Sequence, residues 1–118
     1  MESAKPSPYK YDEERLIALS EFYEKTDEEI EHGLTSPNFT WSGDPAAILV
    51  NGKGRLSTKA KGSCKLASIK VQPGKTYRLR FIGATGMSFV SLAIESHHVL
   101  QIIEADGHYT KPVTTSYL

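Results

Sequence analysis

Hydrophobic residues alternate with polar ones along much of the second half of the chain. In residues 76–82, Tyr77, Leu79 and Phe81 share one face of a strand, while Arg78 and Arg80 share the other. Further strand-like stretches are 47–50, 68–71, 88–94 and 98–104. The turn pairs between and after them are Asn51-Gly52, Pro73-Gly74 and Asp106-Gly107. Short strands separated by such turns predict an all-β sandwich or barrel.

One stretch near the N-terminus fits two patterns. Within residues 15–23, Leu16, Leu19 and Tyr23 have helical spacing, but the compact run LIAL also suits a buried strand. We favour the strand, because four consecutive apolar residues are typical of a strand that is buried on both faces.

A helix start follows that stretch. Thr26 and Glu29 have the spacing of a capping box, in which each side chain accepts a hydrogen bond from the other residue's backbone N–H. Gly33 is a natural stop, because glycine adopts the left-handed conformation cheaply. The pattern therefore predicts one short helix over residues 27–32.

Length and composition favour a single domain and argue against a nucleic-acid-binding or membrane-spanning protein. The chain of 118 residues suffices for one domain, and its 14 basic and 14 acidic residues balance. A neutral chain lacks the broad positive field of a nucleic-acid or anionic-membrane binder. No run approaches the about 20 apolar residues of a membrane span. The first residues, 1–8, have no apolar signal-peptide core and are expected to form a mobile leader.

The histidines and the single cysteine do not have the spacing of a metal site. A blue-copper site needs two histidines and a cysteine thiolate, yet the histidines nearest to Cys64 in sequence are the distant His32 and His97. His97 and His98 are adjacent, so they point to opposite faces of a strand. We interpret these two, His32 and His108 as surface or partly packed residues. The alternative, a small metalloenzyme built on His97, His98 or His108, stays open.

Two other binding patterns are incomplete. Gly74-Lys75-Thr76 resembles the end of a phosphate-binding loop, but Ile69 stands where the first glycine belongs, and a strand follows instead of a helix. A basic stretch lacks the interleaved aromatic residues that stack on bases. It consists of Lys53, Arg55, Lys59, Lys61 and Lys65.

Three stretches in order resemble a known family. ILVNGKGR, VQPGKTYRLRFI and HHVLQIIEADGHYTKP are similar to the second cupredoxin-like domain of three-domain multicopper oxidases, of the laccase and ascorbate-oxidase type. The resemblance begins near Tyr9. There LSEFYE takes the place of an LSDxxH-like strand, with Glu21 and Glu24 at the usual Asp and His positions. It implies an incomplete cupredoxin-like Greek-key β-sandwich over residues 9–118, mainly all-β with one short helix near residues 27–32.

The resemblance also implies a function for a larger parent protein. Such an oxidoreductase couples the oxidation of phenolic or ascorbate-like substrates to the reduction of dioxygen to water. Its copper ions lie in the first and third domains, whose His-x-His pairs are missing from this sequence. This chain would then be a middle domain that binds no copper, is inactive alone and contacts the first and third domains. The parent would be extracellular, without a nucleic-acid partner or a membrane span.

Four residues acquire candidate roles from the resemblance or from a motif. Cys64 matches a cysteine that bridges to the first domain in ascorbate-oxidase relatives, which implies one half of an interdomain disulfide. By itself, a buried or loop thiol is the alternative. Phe22 and Tyr23 match an aromatic pair on the substrate side. Asn38 opens the sequon Asn-Phe-Thr, which makes it a candidate glycosylation site in a secreted parent.

The family's second domain continues beyond the last residues of this sequence with further strands. Without them, part of the sandwich core faces water, so we expect the chain alone to be marginally stable, aggregation-prone or oligomeric. An alternative to the oxidase fragment is a free-standing β-sandwich module that binds a partner and has no catalytic activity.

Overall fold

The computed structural model describes residues 6–56, 65–96 and 99–118. Its helix and strands are β1 (Glu13–Phe22), α1 (Asp27–Thr35), β2 (Ala47–Val50), β3 (Tyr77–Ala84), β4 (Leu100–Ala105) and β5 (His108–Thr115). They belong to two compact units. One unit is Asp12–Ser88, and the other combines the N-terminal residues up to Tyr11 with Phe89–Leu118. The prediction of mainly strands with one short helix is confirmed.

The larger unit contains a three-stranded sheet in the order β2-β1-β3. β1 lies in the centre, antiparallel to β2 and parallel to β3, with Leu19 opposite Val50 and Ile17 beside Phe81. The strand interpretation of residues 15–23 is thus correct. A central strand needs a ladder partner on each side, and the apolar residues of β1 allow burial there.

A two-residue turn follows β2, as Asn51-Gly52 predicted. Asn51 and Gly52 both have positive φ, 50° and 72°, and Val50 and Lys53 exchange two backbone hydrogen bonds of 2.9 and 3.0 Å. Asn51 also continues the sheet with its side chain. Its Oδ1 accepts from the Ala18 N–H at 2.8 Å, and its Nδ2 donates to the Leu16 carbonyl at 3.1 Å.

The smaller unit contains a hairpin of β4 and β5. Asp106 and Gly107 form its turn with φ of 49° and 78°, and Ala105 pairs with His108. The predicted strand 98–104 corresponds to β4, with His98 outside the described residues. β5 was not predicted, because Pro112 and three threonines interrupt its apolar pattern.

Helix α1 begins as predicted and ends later. The Glu29 N–H donates to the Thr26 hydroxyl at 3.2 Å, and the Thr26 N–H donates to the Glu29 carboxylate at 2.8 Å, which completes the capping box. The stop at Gly33 is wrong, since the helix continues to Thr35 and is capped by Ser36. Gly33 has another reason to be glycine. A Cβ there would lie 2.9 Å from the Thr40 carbonyl oxygen. The Thr40 N–H also donates a hydrogen bond to the Gly33 carbonyl, which keeps the two residues close.

Two predicted strands do not form. Side chains, rather than a neighbouring strand, form the hydrogen bonds of residues 68–71 and of Gln72, which follows them. Arg15 Nε donates to the Lys70 carbonyl at 3.0 Å, and the Gln72 N–H donates to the Tyr77 hydroxyl at 2.8 Å. Residues 88–94 pair through Leu92 and Leu118, which exchange two hydrogen bonds of 2.9 Å. One such pair of residues does not make a strand, although the alternation had the right period.

The core of the described residues is small. Its buried apolar side chains are Ile17, Leu19 and Ala47, with 6%, 9% and 9% of their surface exposed. Arg78 is buried as well, at 8%, although it lies on the polar face of the predicted strand. Large apolar residues such as Leu16 and Phe89 remain exposed, which agrees with the expectation of an incomplete core.

Candidate functional site

The end of β1 carries a carboxylate with three backbone donors. Glu21 Oε1 accepts from the N–H groups of Gly86 and Met87 at 2.7 and 2.8 Å, and Oε2 accepts from Ser88 N–H at 3.0 Å. Consecutive N–H groups that converge on one carboxylate favour its charged form. Hydrogen bonding by the Ser88 side chain, then by these backbone groups, accordingly lowers the pKa of Glu21. Glu21 thereby ties residues 86–88 to the sheet.

The candidate substrate-side pair lies directly after this carboxylate. Phe22 is the last residue of β1, is 44% exposed and pairs with Ala47, while its carbonyl accepts from Ala46 N–H at 2.8 Å. Tyr23 is half-buried. The sheet therefore fixes the backbone of Phe22 while its ring faces solvent. The substrate role of the pair remains a prediction.

The candidate glycosylation site is accessible. Asn38 lies in an exposed segment after α1. The hydroxyls of Ser36 and Thr40 donate to its main-chain carbonyl at 3.3 and 3.1 Å. The neighbouring Phe39 and Trp41 are 64% and 55% exposed. Nothing in this geometry prevents attachment of a glycan.

Three candidate residues lie outside the described part of the chain: Cys64, His97 and His98. The disulfide prediction for Cys64 therefore stays a prediction, as does the metal alternative that used His97 and His98.

The described residues do not fit a copper site. Copper in this chemistry requires several imidazole and thiolate ligands around one point. Within residues 6–56, 65–96 and 99–118, no three His, Cys, Asp or Glu side chains converge in that way. His32 lies on α1, and His108 opens β5, where its Nδ1 is 3.0 Å from the Asp106 carbonyl oxygen.

A second charged group links β1 to β3. Arg78 Nη1 donates to Glu14 Oε1 at 3.2 Å, and Arg80 Nη1 donates to Glu14 Oε2 at 3.3 Å. The buried Arg78 guanidinium requires such a partner, because an uncompensated charge in the interior is costly. Glu14 therefore stabilises the parallel pairing of the two strands.

The neighbouring Glu13 forms a more exposed pair. It accepts hydrogen bonds from Lys75 and, at 2.7 Å, from Arg15 Nη2. The Lys75 ammonium, followed by the Arg15 guanidinium, lowers the pKa of Glu13, and the same contact with Glu13 raises the pKa of Lys75. Because both partners are open to water, the pair contributes little to stability.

Sequence reasoning missed both carboxylate roles. In the sequence, Glu21 is distinguished only as the residue that replaces aspartate in the LSDxxH-like stretch. A signal did exist for Glu14: two arginines on one face of a strand that enters the core require an acidic partner on a neighbouring strand. The parallel pairing that supplies it depends on contacts between residues more than sixty positions apart, such as Glu14 and Arg78.

Residues 13–118 match the sequence model of a family described as multicopper oxidase. The chain belongs to the multicopper oxidase family. Among the described residues, no helix has the length and apolar character needed to cross a membrane.

Individual multicopper oxidases agree with this assignment. The chain is 42% identical over 118 residues to multicopper oxidase aurL2 of Gibberella zeae, covering 98% of this chain and 20% of the relative. It is 35% identical over 161 residues to laccase-like multicopper oxidase 1 of Thermothelomyces thermophilus, covering 100% of this chain and 25% of that relative. The L-ascorbate oxidase of Cucumis sativus is 35% identical over 124 residues, covering 92% and 21%. The chain thus spans a quarter or less of the length of these relatives.

A solved structure confirms the fold. Fet3p, a multicopper oxidase that functions in iron import, superposes with a TM-score of 0.70 at 29% identity, over 94% of this chain and 19% of Fet3p. The fold is therefore that of a partial cupredoxin-like β-sandwich, as the resemblance implied.

Proposed function

We propose that this chain is part of the middle, second cupredoxin-like domain of a three-domain multicopper oxidase. Residues 1–8 form its leader, and residues 9–118 form the partial domain. In this role the chain holds the outer domains in place and contributes to the substrate side, while catalysis by the isolated chain is not expected.

The observation that carries the proposal is that the chain belongs to a family of copper enzymes but shows no set of copper ligands in its described part. The chain belongs to a family of copper enzymes, yet its sequence has no His-x-His pair. The donors in the described part of the chain do not converge on one point. Copper-binding residues would then lie in the larger share of the protein that this chain does not span.

The proposed parent oxidises a small reducing substrate of the phenol or ascorbate type and reduces dioxygen to water. Relatives named L-ascorbate oxidase and laccase-like multicopper oxidase support this class of substrates. Copper held by the first and third domains supplies the redox chemistry. This chain's own contribution is the rigid β1–β3 pairing and the surface that Phe22 and Tyr23 present.

Sequencing the transcript and the flanking genomic DNA tests the proposal. We expect an open reading frame with His-x-His motifs upstream and a His-Cys-His set downstream. A continuous reading frame that joins this sequence to domains of another family would contradict the proposal.

The substrate-side role of the aromatic pair follows from the proposal. Phe22 is exposed on a fixed backbone at the end of β1, so its ring can form one wall of a binding surface. In the complete oxidase, Phe22→Ala is expected to raise KM severalfold with little change in kcat, and Tyr23→Phe is expected to have a smaller effect. Unchanged KM values in both variants would contradict this role.

Two covalent features belong to an extracellular parent. We propose that Cys64 pairs with a cysteine of the first domain and that Asn38, which is exposed, carries an N-linked glycan. Peptide mapping of the secreted oxidase under non-reducing conditions, before and after enzymatic deglycosylation, tests both. A free Cys64 thiol or an unmodified Asn38 would each contradict the corresponding feature.

A second candidate function is a free-standing β module that binds a partner. Its supporting observation is the exposure of three large apolar side chains on one face of the three-stranded sheet, where Leu16, Phe22 and Ile82 are 56%, 44% and 48% exposed. Intact mass of the mature protein in its native host distinguishes the candidates. A mature chain of this length supports the module, whereas a protein about four to five times longer supports the middle domain, in line with a coverage of 20–25%.

A further inference from the structure

Two tyrosines that are far apart in sequence have their rings in contact. The Tyr9 and Tyr109 ring centroids are 6.0 Å apart, with their planes at 63°, so that one ring edge faces the other ring. Both residues belong to the smaller unit and are half-buried. Each of the two residues is therefore partly accessible to a small reagent.

Hydrogen bonds hold Tyr9 in this position. Its hydroxyl donates to the Thr110 carbonyl, which belongs to the residue directly after Tyr109. On the other side, the Tyr9 N–H donates to the Ser7 hydroxyl at 3.2 Å, and that hydroxyl donates to the Tyr9 carbonyl at 3.1 Å. The contact thus anchors the N-terminal segment to β5.

Tyr77 has a different environment. Tyr77 lies under the Arg15 guanidinium, 4.8 Å from its ring centroid, and its hydroxyl accepts from Gln72 N–H. A cationic group over the ring disfavours loss of an electron from it. Tyr77 is therefore a poor competitor for a one-electron oxidant.

We propose that Tyr9 and Tyr109 form an intramolecular dityrosine cross-link when the chain meets a one-electron oxidant of phenols. Each phenol loses one electron to the oxidant and one proton to water, which gives two neutral tyrosyl radicals. The radicals join by a carbon–carbon bond between ring positions ortho to the hydroxyls, and the two ring hydrogens then move to the oxygens. In total, two tyrosines lose two electrons and two protons, and two oxidant equivalents are each reduced by one electron.

Bond formation requires a modest rotation. Coupled rings stand closer than 6.0 Å, so the Tyr9 side chain must turn about its staggered torsions. The rotation releases the hydrogen bond from the Tyr9 hydroxyl to the Thr110 carbonyl. The product would fasten residues 6–11 to β5 covalently. The inference requires only the observed ring pair and does not depend on the proposed function.

Oxidation of the dilute 118-residue chain with peroxidase and hydrogen peroxide tests the inference. The monomer fraction is digested with trypsin and analysed by mass spectrometry and dityrosine fluorescence. We expect a cross-linked pair of peptides that contain Tyr9 and Tyr109 and that together have lost two hydrogen atoms.

Four conservative variants make the test specific. Tyr9→Phe and Tyr109→Phe should each abolish the cross-link, because phenylalanine keeps the ring but has no phenol to oxidise. Tyr23→Phe and Tyr117→Phe should leave it unchanged. A monomer without a dityrosine, a cross-link that survives in Tyr9→Phe, or cross-links only between chains would overturn the inference.

Discussion

Glu21 binds Ser88 across 67 positions of sequence, with its Oε2 3.0 Å from the Ser88 N–H. Oε1 accepts from the N–H groups of Gly86 and Met87 as well. Beyond the end of β3, this carboxylate therefore supplies the hydrogen-bond acceptors that a neighbouring strand would otherwise provide. The chain gains an ordered connection between β3 and the residues that follow it, and the connection lies directly beside Phe22.

Glu21→Gln should weaken this connection. Glutamine keeps one acceptor oxygen but loses the charge and places an N–H₂ donor opposite a backbone donor. We expect a loss of about 1–3 kcal/mol in the free energy of unfolding, together with faster amide exchange at residues 86–88. Glu24→Gln, at an exposed position in the same stretch, should change neither quantity. Equal effects of the two variants would show that Glu21 has no special role.

Acidification should release the same segment. The pKa of Glu21 lies below its ordinary value of 4.5 in the folded chain, so the folded state binds fewer protons there than the unfolded state. Its stabilising contribution is therefore present above that ordinary value and is lost as pH falls through the lowered pKa. Urea midpoints measured at descending pH should fall more steeply for the wild type than for Glu21→Gln. Parallel pH profiles would contradict this assignment.

Glu14 and Glu13 are adjacent but should differ in importance. Glu14→Gln removes the charge that faces the buried Arg78, and we expect a loss of about 1–3 kcal/mol in unfolding free energy. Glu13→Gln removes exposed pairs and should cost less, because water screens the charges and mobile side chains lose entropy when they pair. Chemical denaturation of the two variants in low and high salt checks the difference, since salt screens only the exposed pairs strongly. A larger cost for Glu13→Gln would refute it.

Gly33→Ala tests whether a close approach fixes this glycine. The added Cβ would meet the Thr40 carbonyl oxygen at 2.9 Å, a backbone atom that moves only with its loop. Overpacking of this kind costs about 1–3 kcal/mol, against about 1 kcal/mol gained from the higher helix propensity of alanine. We expect a net destabilisation by thermal unfolding. Gly83→Ala, where no atom lies within 4 Å, is the control and should be neutral or stabilising.

The sequence predicts local features of this fold well. Turn pairs such as Asn51-Gly52 and Asp106-Gly107 form because these residues adopt positive φ angles readily. The Thr26–Glu29 capping box lies within a single helical turn. Neither feature needs a partner elsewhere in the chain. Strand formation at residues 68–71 and 88–94 depended on partners elsewhere, so a correct period did not suffice. For Gly33, the deciding contact came from Thr40, outside the helix pattern.

The candidate site was less predictable than the fold. The resemblance indicated Phe22 and Tyr23 by position alone, and only the structure shows that β2 fixes the Phe22 backbone. The roles of Glu14 and Glu21 arise from contacts across more than sixty residues. Periodicity within one strand carries no information about such contacts, whereas the parallel register of β1 and β3 determines them.

The copper content of the purified chain shows whether this part of the protein binds the metal itself. The chain is expressed with copper supplied, dialysed and analysed by elemental analysis alongside its visible absorption spectrum. We expect no bound copper and no blue band, because the sequence has no His-x-His pair and no three ligand side chains converge within residues 6–56, 65–96 and 99–118. Stoichiometric copper that survives dialysis would instead assign a metal-binding role to this chain and overturn its proposed place as a copper-free middle domain.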